Sequence, residues 1–131
     1  MSDSQQPVIY IAGPFRGANA WEVCENIRRA ERVSMECWQA GFAAICPHTN
    51  SANGEGLIPD EWWLRGDISI MLRCDAVLVV PDNEKSGGTK REIATAQQNG
   101  IPVFLALDKL AKHFKEEDRR TSPGHRRRAA V

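Results

Sequence analysis

The segment from Ser86 to Glu92, with the sequence SGGTKRE, combines a hydroxyl, two adjacent glycines and a carboxylate. It follows the apolar run 74–81, which has the length and β-branched content of a buried parallel strand. Glu92 is therefore predicted in the first turns of a helix over 89–99, just beyond the carboxyl end of a strand, where open α/β sheets keep their binding crevices. The helix dipole also favours acidic residues there, so a purely structural role for Glu92 is equally open on this segment alone.

A second glycine-containing loop follows the first predicted strand and carries Arg16. Loops at the carboxyl ends of neighbouring parallel strands converge, so Arg16 and Ser86 are expected to approach one ligand. An arginine fork, a serine hydroxyl and free backbone N–H groups suit a single phosphate or carboxylate. Neither loop contains a Walker A motif or a G-x-G-x-x-G fingerprint, and a plain surface arginine remains the alternative. The candidate binding residues of the two loops are Gly13, Phe15, Arg16, Ser86 and Gly88.

Asp67 lies in the middle of a predicted helix over 59–73, a position that helix propensity disfavours for aspartate. If this helix ends beside the loop after the third strand, Asp67 supplies a second active-site carboxylate near Glu92. A solvated helix face, with Arg65 nearby, is an equal alternative. Asp75 begins the third strand and is expected to cap or pair there.

His48 and Asn50 lie in the polar segment 48–56, which is too long for a simple turn and is therefore a candidate binding loop. His48 could touch a base or act as an acid, although a single loop histidine more often has no such role. Of the adjacent Trp62 and Trp63, one is expected to pack in the core and the other to roof a pocket or an interface. No metal-ligand spacing is present, and no metal or cofactor is expected.

Composition indicates one ordinary globular domain over residues 1–118. The chain has 131 residues, of which 42% are hydrophobic and 26% charged. Residues 119–131 carry five arginines and no acid, which leaves 12 basic and 17 acidic side chains in the rest, a net charge of −5. The tail is expected to be disordered. The acidic body argues against a nucleic-acid partner.

The cysteines indicate a reducing compartment. The four cysteines form no C-x-x-C pair, and three of them lie in apolar stretches, where a free thiol behaves as a small hydrophobe. Residues 1–7 show neither the basic nor the apolar region of a secretory signal. No apolar run approaches the roughly 18 residues of a membrane span. We therefore expect a cytoplasmic protein with no membrane partner.

Alternating strand and helix patterns must position these side chains. Short apolar runs predict strands, and apolar positions at steps of three and four predict helices. The alternation predicts an α/β fold, namely a Rossmann-like or flavodoxin-like three-layer sandwich with a parallel sheet of four to five strands. The predicted strands cover 8–12, 42–46, 75–80 and 101–106, and the predicted helices cover 19–40, 59–73, 89–99 and 109–117.

Three motifs, separated along the chain, together resemble the nucleoside 2-deoxyribosyltransferase-like superfamily. They are YIAGPFRG at 10–17, CDAV at 74–77 preceded by Asp67, and SGGTxxE at 86–92. The resemblance covers about residues 8–106 and looks closest to the short phage and bacterial branch of the DUF4406 type. It implies a Rossmann-like fold, assembly as a homodimer or larger homo-oligomer, and cleavage of an N-glycosidic bond in a small nucleoside or nucleotide.

The same resemblance implies a role for each of three side chains. Glu92 matches the nucleophile that attacks the anomeric carbon, Asp67 matches the carboxylate that handles a proton or orients the sugar and base, and Tyr10 matches a tyrosine beside the nucleophile. This is the logic of a retaining glycosidase, with an oxocarbenium-like transition state and a covalent glycosyl-enzyme. Water as acceptor makes the enzyme a hydrolase, and a second base makes it a transferase.

Ser86 favours a nucleotide substrate over a nucleoside. Superfamily members that use nucleosides carry an acidic residue six positions before the nucleophile, whereas members that act on nucleoside 5′-monophosphates resemble this chain in having serine there and arginine in the first loop. Aspartate repels a 5′-phosphate and arginine attracts it, so a (deoxy)nucleoside 5′-monophosphate is expected. Two alternatives stay open, namely cleavage of an NAD-like or ADP-ribosyl N-glycosidic bond and a non-catalytic nucleotide-binding module.

Overall fold

A computed structural model of the chain describes residues 5–81, 83 and 86–120, which form four strands and five helices. In chain order these elements are β1 (Val8–Ala12), α1 (Ala20–Gln39), β2 (Ala43–Ile45), α2 (Pro47–Asn50), α3 (Asp60–Met71), β3 (Ala76–Val79), α4 (Gly87–Gln98), β4 (Val103–Phe104) and α5 (Leu107–Arg120). Within the described residues, none of the helices has the length and apolar content needed to cross a bilayer.

The four strands form one parallel sheet in the order β2-β1-β3-β4. Tyr10 of β1 lies opposite Ile45 of β2 on one side and Val77 of β3 on the other. The chain leaves β1 toward β2 and then crosses back over β1 to reach β3, so the strand order reverses between β1 and β3. In open parallel sheets the carboxyl ends at such a reversal form the ligand crevice. The predicted α/β fold with a four-strand parallel sheet is confirmed.

Helices cover both faces of the sheet because side chains of a buried strand alternate between its faces. Ile9 and Ile11 of β1 pack with α1 and α5 in one core cluster. Tyr10 and Ala12 point to the opposite face and pack with α3 and α4 in a second cluster. The result is the predicted three-layer arrangement. It also places the hydroxyl of Tyr10 on the side of the sheet that carries the two helices with candidate carboxylates.

Several predicted boundaries were wrong by a few residues. Both edge strands are shorter than predicted, because β2 and β4 pair on one side only and Pro102 has no N–H to donate. The polar segment predicted as a loop from His48 begins with the short helix α2, in which Pro47 occupies the first turn, a position that suits its fixed φ. The helix predicted from residue 89 begins at Gly87, because Ser86 caps it.

The last helix is longer than predicted. It extends from Leu107 to Arg120, whereas the sequence pattern predicted 109–117. The first two residues of the predicted basic tail therefore belong to this helix, and the remainder of the tail lies outside the described residues. Of the four cysteines, Cys24 is exposed and the other three are buried.

Asp75 has the structural role that its position predicts. Its Oδ2 accepts a hydrogen bond of 2.7 Å from the backbone N–H of Val8, and its own N–H donates to the Val8 carbonyl at 2.8 Å. The carboxylate thus continues the pairing of β1 and β3 at the amino ends of these strands. This edge of the sheet lies opposite the crevice.

Candidate active site

A cavity of about 520 Å³ opens at the carboxyl ends of β1 and β3. This volume is within the usual range of small-molecule sites. Its walls are the loop after β1, the segment from α2 to α3, and the first turns of α4. The lining residues are Gly13, Pro14, Phe15, Arg16, Gly17, Val23, Pro47, His48, Ser51, Glu55, Asp60, Trp63, Leu64, Asp67, Ile68, Ser86, Gly87, Gly88, Arg91 and Glu92.

A buried tyrosine holds the carboxylate of Glu92 in this cavity. The hydroxyl of Tyr10 donates a hydrogen bond of 2.7 Å to Oε2 of Glu92. Tyr10 is fully buried in β1, and its burial, together with the negative charge of Glu92, raises the pKa of its hydroxyl, which therefore stays protonated. The bond occupies Oε2 and fixes the plane of the carboxylate group, and it thereby sets the direction of the other oxygen. Strand β1 and helix α4 thereby orient one carboxylate for chemistry.

Asp67 of α3 also lines the cavity and acts electrostatically on both members of this pair. Burial raises the pKa of Asp67 to about 6. Burial also raises the pKa of Glu92 to about 7, an effect that the charge of Asp67 reinforces and the hydrogen bond from Tyr10 opposes. Two interacting carboxyl groups with pKa values near neutrality can divide the roles of nucleophile and acid between them. Asp67 is partly buried and lines the cavity with Glu92, so it does not lie on a fully solvated helix face, and its role as a second active-site carboxylate stays a prediction.

We expect the raised pKa of Glu92 to make its replacement stabilising at high pH. The fold binds this proton more tightly than the unfolded chain does, so the free energy of unfolding falls as the pH rises from about 4.5 to about 7. Glu92→Gln removes this loss. In thermal unfolding followed by circular dichroism, the Tm of the variant should rise relative to that of the natural chain as the pH increases from 5 to 8. Glu61→Gln, on the exposed first turn of α3, serves as the control. A constant difference between variant and natural chain across this range would contradict the burial of an ionisable Glu92.

His48 holds the wall of the cavity in place. Its Nε2–H donates a hydrogen bond of 2.9 Å to the carbonyl of Pro14, and its ring lies 5.7 Å from that of Phe15. The side chain is buried, and burial lowers its pKa, so the imidazole is neutral near pH 7. It ties α2 to the loop after β1. Asn50, at the end of the same helix, is exposed and does not line the cavity.

The loop after β1 approaches β3 closely. A Cβ on Gly13 would lie 2.8 Å from Cγ2 of Val80, so a larger residue would push the loop away from the end of the sheet. This close approach brings Arg16, three residues later, to the cavity wall. There its guanidinium pairs with Asp60 in the first turn of α3.

Ser86 caps α4 while it lines the cavity. Its Oγ accepts a hydrogen bond of 3.3 Å from the N–H of Thr89 and donates to Oγ1 of the same residue. The next two residues, Gly87 and Gly88, have open space where a Cβ would be, and both line the cavity. The N–H groups of a helix's first turn lack partners within the helix and suit an anion. The predicted residues of both glycine-containing loops therefore face one cavity.

Three charged residues among the described cavity lining, Glu55, Asp60 and Arg91, were not predicted as site residues. Glu55 and Asp60 belong to no motif, and Arg91 occupies a variable position of the SGGTxxE motif. All three residues are exposed. Trp63 lines the cavity and packs on Gly54, where a Cβ would come within 2.9 Å of its ring, whereas Trp62 is 54% exposed. The prediction that one of the two tryptophans packs in the core was wrong, because Trp62 is largely exposed and Trp63 is only partly buried, at the cavity wall. Trp63 could have been assigned to the cavity from its helical spacing of four residues to Asp67. Among the described residues, no group of three or more His, Cys, Asp and Glu side chains is placed to hold a metal ion.

Comparison with known protein families gives one match. A family model described as a domain of unknown function, DUF7768, matches residues 7–106. The matched family is thus DUF7768 and not the expected DUF4406 type, which the comparisons do not support. No curated protein matches.

Solved structures of two bacterial proteins share the fold. A 2-deoxyribosyltransferase from Bacillus psychrosaccharolyticus is similar with a TM-score of 0.53 and 24% identity, over 73% of this chain and 69% of that one. A conserved protein from Enterococcus faecalis V583 is similar with a TM-score of 0.59 and 21% identity, over 76% of this chain and 62% of that one. At these identities the likeness shows a common fold.

Proposed function

This chain belongs to the DUF7768 family, and we propose that it breaks the N-glycosidic bond of a nucleoside 5′-monophosphate. The observation that carries the proposal is the pair formed by Glu92 and Tyr10 beside Asp67, in a cavity at the reversal of strand order. The motif resemblance and the fold shared with a 2-deoxyribosyltransferase support the same chemistry.

Glu92 is the nucleophile in this proposal. Its free carboxylate oxygen attacks the anomeric carbon of the sugar, the bond from that carbon to the base breaks, and the base leaves with the electron pair. Asp67 protonates the departing base, which yields a covalent ester between the sugar and Glu92. In the second step Asp67 takes a proton from water, whose oxygen attacks the same carbon and releases Glu92. A second free base in place of water regenerates a nucleotide.

Tyr10 keeps Glu92 effective as a nucleophile. Burial raises the pKa of Glu92 and so favours its neutral form, which is a poor nucleophile. The hydrogen bond from Tyr10 lowers the pKa and so favours the ionised form. The same bond aims the second oxygen. Tyr10 itself is fixed by full burial in the central strand of the sheet.

Arg16 and the first turn of α4 are proposed to hold the 5′-phosphate. Arg16 brings a guanidinium to one wall of the cavity, and Gly87 and Gly88, which have open space where a Cβ would be, bring the first backbone N–H groups of α4 to another. Guanidinium forks and helix N-termini both bind phosphate oxygens well. Gly88 and Glu92 are four residues apart on α4, a rise of about 6 Å, and both line the cavity.

The test is a panel of nucleosides and their 5′-monophosphates, each with and without an added free base, with released or exchanged base measured by chromatography. We expect turnover of monophosphates, and we expect Arg16→Ala to lower kcat/KM for them by at least about tenfold while changing nucleosides much less, because a charge-assisted bond to phosphate is worth about 1.5–3 kcal/mol. Arg28→Ala, on the exposed face of α1, is the control. Equal losses for both substrate types would remove the phosphate role, and binding without base release would leave a nucleotide-binding module.

A further inference from the structure

The ion pair between Arg16 and Asp60 joins two walls of the cavity, and the mechanism above leaves Asp60 without a role. Arg16 belongs to the loop after β1 and Asp60 to the first turn of α3, and both line the cavity. Their side chains are 73% and 60% exposed, so the pair stands at the mouth and not in the interior. The guanidinium proposed for the phosphate therefore contacts a carboxylate of the protein in this structure.

The carboxylate of Asp60 weakens the binding of an anionic ligand, because other acidic side chains also line the cavity. Among the residues that the structure describes, four acidic side chains line the cavity together with two guanidinium groups, those of Arg16 and Arg91. Burial raises the pKa of Glu92 and Asp67, so each of these carries a proton part of the time near neutral pH. The side chain of Asp60 is exposed, and its Oδ2 contacts the guanidinium of Arg16 directly. It therefore stands beside the guanidinium as a rival anion.

We propose that Asp60 is a specificity-determining residue that competes with the substrate's 5′-phosphate for Arg16. A monophosphate must displace the carboxylate of Asp60 from the guanidinium, whereas a nucleoside leaves the pair intact. Asp60 thus weakens the binding of monophosphates but not of nucleosides. It thereby reduces the difference in affinity between these two substrate types. The inference rests on the proposed function for the identity of the substrate, and on the observed ion pair for the competition itself.

The size of the effect follows from the exposure of the pair. Exposed ion pairs shift an equilibrium by about 0.2–1 kcal/mol, so freeing Arg16 should strengthen phosphate binding by a factor of about 1.4 to 5. Replacing Asp60 by asparagine removes the negative charge and keeps the shape of the side chain. Both partners are exposed, so the substitution is compatible with folding.

Titration with inorganic phosphate at low ionic strength, followed by amide shifts in NMR, tests the competition without requiring turnover. Asp60→Asn should lower the dissociation constant for phosphate by a factor of about 1.4 to 5. Glu61→Gln is the matched control, because it removes the same charge from the same first turn but does not line the cavity. In an Arg16→Ala background Asp60→Asn should give no such gain, since the two changes act on one interaction.

Each outcome separates this inference from the proposed function. Unchanged or weaker phosphate binding in Asp60→Asn overturns the inference, as does an equal gain in Glu61→Gln or in the Arg16→Ala background. A selective gain in Asp60→Asn supports the competition even where the natural protein releases no base, in which case the proposed function fails alone. Base release from monophosphates together with a neutral Asp60→Asn leaves the function standing and removes the competition.

Discussion

Glu92→Gln is expected to reduce base release by at least about a thousandfold, since removal of a catalytic nucleophile leaves only binding and electrostatic contributions. The amide keeps the size of the side chain and can still accept the hydrogen bond of Tyr10, so the cavity keeps its shape. What is lost is the negative oxygen that attacks the anomeric carbon. Initial rates of base release from a monophosphate measure the effect.

A trapped intermediate makes this prediction specific to a nucleophile. Acid-quenched turnover of the natural protein should give a species heavier by one sugar phosphate in intact-protein mass spectrometry, and proteolysis should locate the added mass on the peptide that contains Glu92. Glu92→Gln should give none. Glu61→Gln, on the exposed surface of α3, should form the adduct and release base at the natural rate. Base release by Glu92→Gln at a tenth of the natural rate or more would exclude Glu92 as the nucleophile.

The sheet could be predicted from the sequence because the residue types within each short segment indicate a strand. The run 76–80 is apolar at every position, as a central parallel strand requires, and the alternation with helical periodicity allows few topologies. That topology brings the loops after β1 and β3 together, which is why Arg16 and Ser86 were expected at one site. Both residues line one cavity in the structure.

The finer features depend on contacts that no local pattern records. The capping role of Ser86 depends on a hydrogen bond to Thr89 and on a helix that begins two residues earlier than periodicity indicated. Asp60 looks like an ordinary acid of a first helical turn, since the dipole alone would favour it. Its pairing with Arg16 is a contact between residues 44 positions apart. Polar residues without a motif are therefore found only once the fold is known.

Asp67→Asn is expected to lower base release by about 10²- to 10⁴-fold, the usual contribution of a general acid. The loss should depend on the leaving group, because Asp67 supplies a proton that some bases do not need. A monophosphate of a 7-alkylated guanine already carries a positive charge on its base and departs as a neutral molecule. For that substrate we expect Asp67→Asn to retain most of the natural rate. Asp108→Asn, in the first turn of α5, removes an aspartate outside the cavity and serves as the control.

The pH profile distinguishes proton donation by Asp67 from mere support of the cavity. With pKa values of about 6 for Asp67 and about 7 for Glu92, the pair titrates as a unit and is active while it holds one proton, so kcat/KM should fall on both sides of pH 6 to 7. Asp67→Asn should abolish the fall at high pH, because only an ionised Glu92 is then required. The fall at low pH should move to lower pH, since the charge of Asp67 raises the pKa of Glu92. A variant that loses activity equally with every base and keeps a two-sided profile would show that Asp67 does not donate the proton.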